Sequence, residues 1–225
     1  MLQCLTYGAC ARASKMGLVA ALLLGSPVTA EPVEILALGD SLTAGYGLPE
    51  PAGFVPQMQK WLTQRGHDVK LINAGVSGDT TAGGLSRVAW SLTPQTDAIV
   101  VALGGNDMLR GLPPEVVRTN INGILEVADQ SDLQIMIVGM MAPGNYGLDY
   151  KREFDSIYPD AAKAYDAVYQ ASFFEGLLGS SEDPASIRVY LQPDGIHPNA
   201  EGVAKIVDGM GPRIEQLILR TQSRD

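Results

Sequence analysis

Continuous apolar runs of strand length recur at residues 33–38, 69–72, 98–103 and 135–138, each closed by Gly, Asn or Asp. A strand with one face in water alternates apolar and polar positions, so unbroken runs suit strands covered on both faces. Between them lie stretches of helical character at 53–64, 80–92 and 114–128, the last opened by Pro113 and Pro114, where a missing N–H does no harm. Strand and helix alternate. The pattern therefore predicts an α/β fold, a mostly parallel sheet with helices on both faces.

Beyond Gly139 the pattern loosens. Residues 140–152 carry Pro143, Gly144, Asn145 and Gly147 and read as a long loop, the kind that is often functional in a compact domain. Residues 154–165 read as one helix, 168–174 as a short fifth strand, 180–186 as a polar loop and 199–219 as a closing helix capped by Asn199. There is no internal repeat, no low-complexity segment and no sign of a second domain.

The first thirty residues depart from this pattern. Arg12 and Lys15 precede an apolar core at 17–24, and Val28-Thr29-Ala30 supplies small residues before Glu31. That is the layout of a secretory signal, and its core is shorter than the roughly twenty residues a bilayer span needs. Residues 1–30 are expected to be cleaved and 31–225 to form one domain, periplasmic or secreted. Met16 is an alternative start that keeps the apolar core but loses both basic residues.

Cys4 and Cys10, the two cysteines of the chain, fall in the segment to be removed, which excludes thiol chemistry and disulfides from the mature protein. The remaining 195 residues suffice for a core without them. Removing Arg12 and Lys15 takes the net charge from −9 to −11. So acidic a chain, with no basic run, is unsuited to nucleic acid or anionic membrane surfaces. Neither partner is expected, nor stable membrane insertion, and a monomer is the expected state.

Three of the predicted strands end in turns with chemical content: Gly39-Asp40-Ser41-Leu42, the segment Asn73-Ala74-Gly75-Val76-Ser77-Gly78-Asp79-Thr80, and Gly104-Gly105-Asn106-Asp107. In a parallel sheet these ends share one edge, the edge where open α/β folds bind ligands. A serine there becomes a nucleophile only if a base takes its proton and a third group orients the base. The chain has two histidines. His67 lies in the polar turn Arg65-Gly66-His67-Asp68 and reads as solvated, whereas His197, in Asp194-Gly195-Ile196-His197-Pro198, comes with an aspartate three residues away.

The same turns offer donors for an oxyanion: the N–H groups of Ser41 and Gly75 and the amide of Asn106. Taken singly, glycine-rich turns are ordinary tight connections and an Asn after Gly-Gly is an ordinary turn residue. Together they point to acyl transfer. Asp40 and Asp107 flank the site without the spaced histidines of a metal centre, so no metal is expected, and Asp40 reads as an acceptor for N–H groups of its own turn. Trp61, Trp90 and Met136, Met140 and Met141 read as packing residues, and Tyr46, Leu109, Tyr146 and Leu148 as candidate substrate lining.

These blocks resemble the SGNH hydrolases of the GDSL type, whose four blocks carry Ser, Gly, Asn and His in that order, here Ser41, Gly75, Asn106 and His197. The similarity is greatest to the bacterial multifunctional thioesterase, lysophospholipase and arylesterase subgroup. It extends over Gly39 to Tyr46, Ser77-Gly78-Asp79-Thr80, Gly104 to Gly111, Asn145-Tyr146-Gly147, Ile157-Tyr158-Pro159 and Asp194 to Asn199. The resemblance implies a flavodoxin-like three-layer α/β/α sandwich, a Ser41-His197-Asp194 triad and an oxyanion hole from Ser41, Gly75 and Asn106. It also implies no cofactor and a small acyl ester or thioester as substrate. The Gly-x-Ser-x-Gly elbow of α/β-hydrolases is absent. Two other readings share the fold: a carbohydrate O-acetyl esterase and a non-catalytic exported binding protein.

Overall fold

The computed structural model describes residues 31–178 and 184–223. Five parallel strands, β1 (Val33–Gly39), β2 (Val69–Gly75), β3 (Thr96–Ala102), β4 (Gln134–Val138) and β5 (Val168–Gln170), form one sheet in the order β2-β1-β3-β4-β5. The helices are α1 (Ser41–Ala44), α2 (Phe54–Gln64), α3 (Thr81–Ser91), α4 (Gly105–Leu109), α5 (Pro114–Gln130), α6 (Leu148–Asp155), α7 (Ile157–Ala164), α8 (Glu175–Leu178) and α9 (Ala200–Gln222).

Because successive strand residues point to opposite faces, each apolar run divides itself between two cores. Ile35, Ala37, Ala98, Val100, Met136 and Val138 meet α2 and α9 on one face. Leu36, Leu38, Ile99, Val101, Ile135 and Ile137 meet α3, α5, α6 and α7 on the other. The result is the expected three-layer sandwich. The helix starts follow local chemistry: Thr80 accepts the Gly83 N–H at α3, proline opens α5, and Asn199 accepts the Gly202 N–H at α9.

The C-terminal half departs from the sequence reading. Residues 140–152 are irregular only as far as Gly147, with a 3-10 turn at Gly144–Tyr146, and Leu148 begins α6. Ion pairs one turn apart, Asp149 with Arg152 at 2.9 Å and Lys151 with Asp155, support this helix where glycine and proline density suggested a loop. The single helix expected at 154–165 is broken at Ser156. Pro159 lacks the N–H that would continue the ladder, and its ring would meet the carbonyl of Asp155. The fifth strand stops at Gln170, and of the loop expected at 180–186, residues 180–183 lie outside the described residues while 184 opens the 3-10 segment Pro184–Tyr190. Trp61 packs as expected, its N–H on Asp208 at 2.9 Å, but Trp90 is 91% exposed.

A buried polar joint ties three helices together. Asp107, on α4 and wholly buried, accepts the Thr81 N–H at 2.9 Å and the Thr81 hydroxyl at 2.6 Å, and Asn120 of α5 donates to Thr81 Oγ1 at 3.0 Å. Replacing Thr81 by Val keeps the shape and removes one donor from a buried carboxylate and the acceptor of Asn120. We expect Thr81→Val to lose about 1–3 kcal/mol of stability, read as a lower urea midpoint with unchanged slope. An unchanged midpoint would show that the joint contributes nothing.

Candidate active site

The strand order reverses between β1 and β3: β1 connects outward to β2 and β3 outward to β4. At such a switch point the connecting segments part and leave a crevice beyond the carboxyl ends of the strands. Ser41 opens α1 on one side of it, and Asn106 lies in α4 on the other. The end of β1 and the cap of α4 are glycine for steric reasons. A Cβ on Gly39 would lie 2.0 Å from Thr43 Oγ1, and one on Gly104, at φ +118°, would lie 1.9 Å from Tyr158 Oη. Tyr158 itself is buried beneath this turn and donates to the Leu103 carbonyl at 3.0 Å.

Asp40 caps α1, accepting the Leu42 N–H on Oδ1 at 3.0 Å, and Asn106 Nδ2 donates to its Oδ2 at 3.3 Å. Burial pushes the Asp40 carboxyl up to about 6, against the opposing effect of the Leu42 N–H. Behind this turn Arg87 of α3 donates to the carbonyls of Gly39 at 3.0 Å and Ala74 at 2.8 Å, and pairs with Asp79 at 2.8 Å. One guanidinium thus fixes the ends of β1 and β2 together.

The segment carrying Asp194 and His197 folds back to the same edge. Leu191 and Pro198 form an antiparallel bridge, Gln192 N–H donates to the His197 carbonyl at 2.7 Å, and Gly195 turns with φ +72°. The Gln192 amide crosses to the nucleophile side and donates to the Tyr46 carbonyl at 2.8 Å. Within the turn Asp194 Oδ1 accepts the N–H groups of Ile196 and His197, at 2.9 and 3.0 Å, and its Oδ2 lies 2.7 Å from His197 Nδ1. The His197 and Ile196 N–H bonds, with the imidazole next, hold the Asp194 carboxyl down to about 2. An ionised carboxylate only accepts, so the ring proton sits on Nδ1 and leaves Nε2 free. Nε2 lies 2.9 Å from Ser41 Oγ, and the Tyr46 ring packs against the imidazole with centroids 4.5 Å apart.

Ser41 and His197 face a cavity of about 460 Å³, walled by Leu42, Met108, Leu109, Met140, Phe174, Ile187, Leu191 and Ile196. Of the lining residues proposed from sequence, Leu109 is in this wall, while Leu148 is 80% exposed and Tyr146 packs against Tyr150, with ring centroids 5.0 Å apart, and donates to the Leu109 carbonyl at 3.3 Å. The onset of α6 carries Leu148 away from the wall. Met140 both packs in the core and lines the cavity, whereas Met141 is exposed. Phe174, Ile187, Leu191 and Ile196 complete the wall from the C-terminal part of the chain, and no pattern in the sequence marks their side chains as cavity lining.

Two further readings need correction. His67 is not simply solvated: its Nε2 lies 3.0 Å from Glu215 Oε1 on α9. Gly75 is brought to the site's edge, but its N–H is already donated to Asn73 Oδ1 at 3.0 Å, so it is not open to an oxyanion. Its missing side chain does other work, since a Cβ would lie 2.3 Å from the Ala44 nitrogen, where α1 crosses β2. In the same turn Gly78, at φ +81°, has an N–H without an acceptor among the described residues, and its carbonyl accepts from Arg110 at 2.9 Å. No group of three or more potential metal ligands occurs among the described residues.

A serine, a correctly tautomerised histidine and an orienting carboxylate, set at the switch point of a parallel sheet, form the arrangement of a nucleophilic hydrolase. The chain belongs to the GDSL-like Lipase/Acylhydrolase family, which it matches over residues 37–205. It is 32% identical over 203 residues to esterase TesA of Pseudomonas aeruginosa, covering 90% of this chain and 96% of that one. It is also 32% identical over 186 residues to thioesterase 1/protease 1/lysophospholipase L1 of Escherichia coli, covering 82% and 84%. Among solved structures, AlinE4, an SGNH-hydrolase family esterase, superposes with TM-score 0.67 at 40% identity over 83% of this chain and 97% of its own.

From this geometry, Ser41→Ala and His197→Ala should each lose nearly all ester hydrolysis with the far-UV spectrum unchanged, and the double variant should be no worse than either, because such groups act as a unit. Asp194, held down to about 2, should stay ionised and keep orienting the His197 ring through the working pH range. Full activity in His197→Ala would rule out the arrangement as the working site.

Proposed function

We propose that the chain is an exported serine hydrolase that cleaves carboxylic esters, and thioesters with them, through an acyl-enzyme. The observation that carries this is the 2.9 Å contact between Ser41 Oγ and His197 Nε2 at the mouth of an apolar cavity. Ser41 attacks the acyl carbonyl as His197 takes its proton, and the imidazolium so formed is stabilised by Asp194. His197 then returns the proton to the leaving alcohol or thiol, and water repeats the cycle on the acyl-serine. The oxyanion is met by the Ser41 N–H and the second hydrogen of Asn106 Nδ2, with the open Gly78 N–H in the place first assigned to Gly75.

Export rests on the signal-like residues 1–30, and residues 31–225 then form the single hydrolase domain. The names of the relatives support ester substrates, and that of the E. coli protein supports thioesters and lysophospholipids. No helix of the described residues is long and apolar enough to cross a membrane. The cavity favours a hydrocarbon acyl group over an acetylated sugar, since eight apolar side chains wall it and a sugar would leave its hydroxyls unpaired there.

The acyl assignment predicts a selective defect. Shortening one apolar contact changes discrimination by about 1–3 kcal/mol, so Leu109→Ala should lower kcat/KM for longer acyl esters about tenfold or more and spare acetate esters. Leu148→Ala should leave the whole profile unchanged. If Leu109→Ala reduced acetate and longer esters alike, the acyl chain would not lie in this cavity.

A further inference from the structure

Asp40 is a buried, titratable group beside the nucleophile that the acyl-enzyme steps do not use. Its relative exposure is 3%, and its two oxygens are divided between two tasks: Oδ1 takes the Leu42 N–H at 3.0 Å, and Oδ2 takes Asn106 Nδ2 at 3.3 Å. The division matters because of what an amide can present. A carboxylate only accepts, so it selects the nitrogen end of Asn106 and spends one of its two hydrogens. The other hydrogen then projects at about 120° from the first, toward the crevice that Asn106 lines with Ser41. Gly105 lets the two approach, since a Cβ there would already lie 3.3 Å from Asp40 Oδ2.

We propose that Asp40 is a positioning residue whose carboxylate sets which end of the Asn106 amide faces the developing oxyanion. This rests on the reading of Asn106 as an oxyanion donor. Asn at position 40 would keep an acceptor for Leu42 but turn an N–H₂ group toward Asn106 Nδ2. Two donors cannot bond, so the Asn106 amide rotates, bonds through its oxygen and offers an acceptor to the oxyanion. Ser at position 40 would keep the helix cap and leave Asn106 unanchored. Burial opposes ionisation here, with Asp79 adding to it and His197 working against it, so the charged form is held at a cost to the fold.

The test is a double-mutant cycle on an aryl ester at pH 8, with kcat, KM and Tm measured for wild type, Asp40→Asn, Asp40→Ser, Asn106→Ala, Asp40→Asn/Asn106→Ala and Ser41→Ala. Loss of one oxyanion donor costs about 10²- to 10³-fold in kcat. We expect that loss in Asn106→Ala and in both Asp40 variants, with KM little changed. The double variant should match Asn106→Ala, since Asp40 acts through it, and Asp40→Asn should have a Tm no lower than wild type. Unchanged kcat in the Asp40 variants, or losses that multiply in the double variant, would overturn the proposal while leaving the Ser41 mechanism intact. Full activity in Asn106→Ala or Ser41→Ala would instead overturn the reading on which it rests.

Discussion

At β1 and β3 the chain leaves the sheet in opposite directions, and the gap between their carboxyl ends lets a ligand reach the sheet edge without displacing a connection. Everything chemical is arranged around that gap. Ser41 and Asn106 belong to short helices that begin at its two sides, and the turns leading into them require glycine at 39, packed against Thr43, and at 104, packed against Tyr158. Arg87 locks the ends of β1 and β2 from behind, so the nucleophile turn is anchored to the sheet and cannot drift. Burial of both faces of the sheet supplies the rigidity, since close-packed interiors shift little.

His197 arrives from the other end of the sequence and is held by its own turn. Asp194 serves the two N–H groups that shape the turn and the imidazole that the turn presents, so orientation of His197 and folding of residues 191–198 are one event. The two carboxyls near the serine are opposed in character. Asp194 is partly open to water and stabilised as an anion, contributing to stability that is lost only as pH falls toward about 2. Asp40 is buried, with a folded value above the usual carboxylate range, so it favours the fold at low pH and opposes it as pH rises past about 6. A site that keeps such a group ionised trades stability for the geometry of its donors.

What could be read from the residues follows from how local the governing physics is. The strands, the first helices and the Asn199 cap were legible because apolar period and capping chemistry act within a few residues. Ser41, His197 and Asp194 could be singled out because a nucleophile, a base and an orienter must be particular residue types and the chain holds two histidines, and the fold brings the three within hydrogen-bonding distance. Gly75 was misread because whether an N–H is free depends on the Asn73 side chain two residues back, which glycine content does not reveal. Helix α6 was missed because it starts directly after a glycine- and proline-rich stretch and is fixed by tertiary packing of Phe154 and Tyr150, with ion pairs one turn apart beside it. The cavity wall was least legible: Leu42, Met108, Phe174, Ile187 and Ile196 meet only through the tertiary fold.

The central claim is that Ser41 is the nucleophile, activated by His197 and facing an apolar acyl cavity. The most direct measurement is reaction of the purified protein with an alkyl fluorophosphonate, followed by peptide mass spectrometry and timed loss of esterase activity. The account predicts one adduct per chain, on Ser41, forming in step with loss of activity and absent in His197→Ala. Full esterase activity with no adduct on Ser41, or inactivation that tracks labelling at another residue, would contradict it.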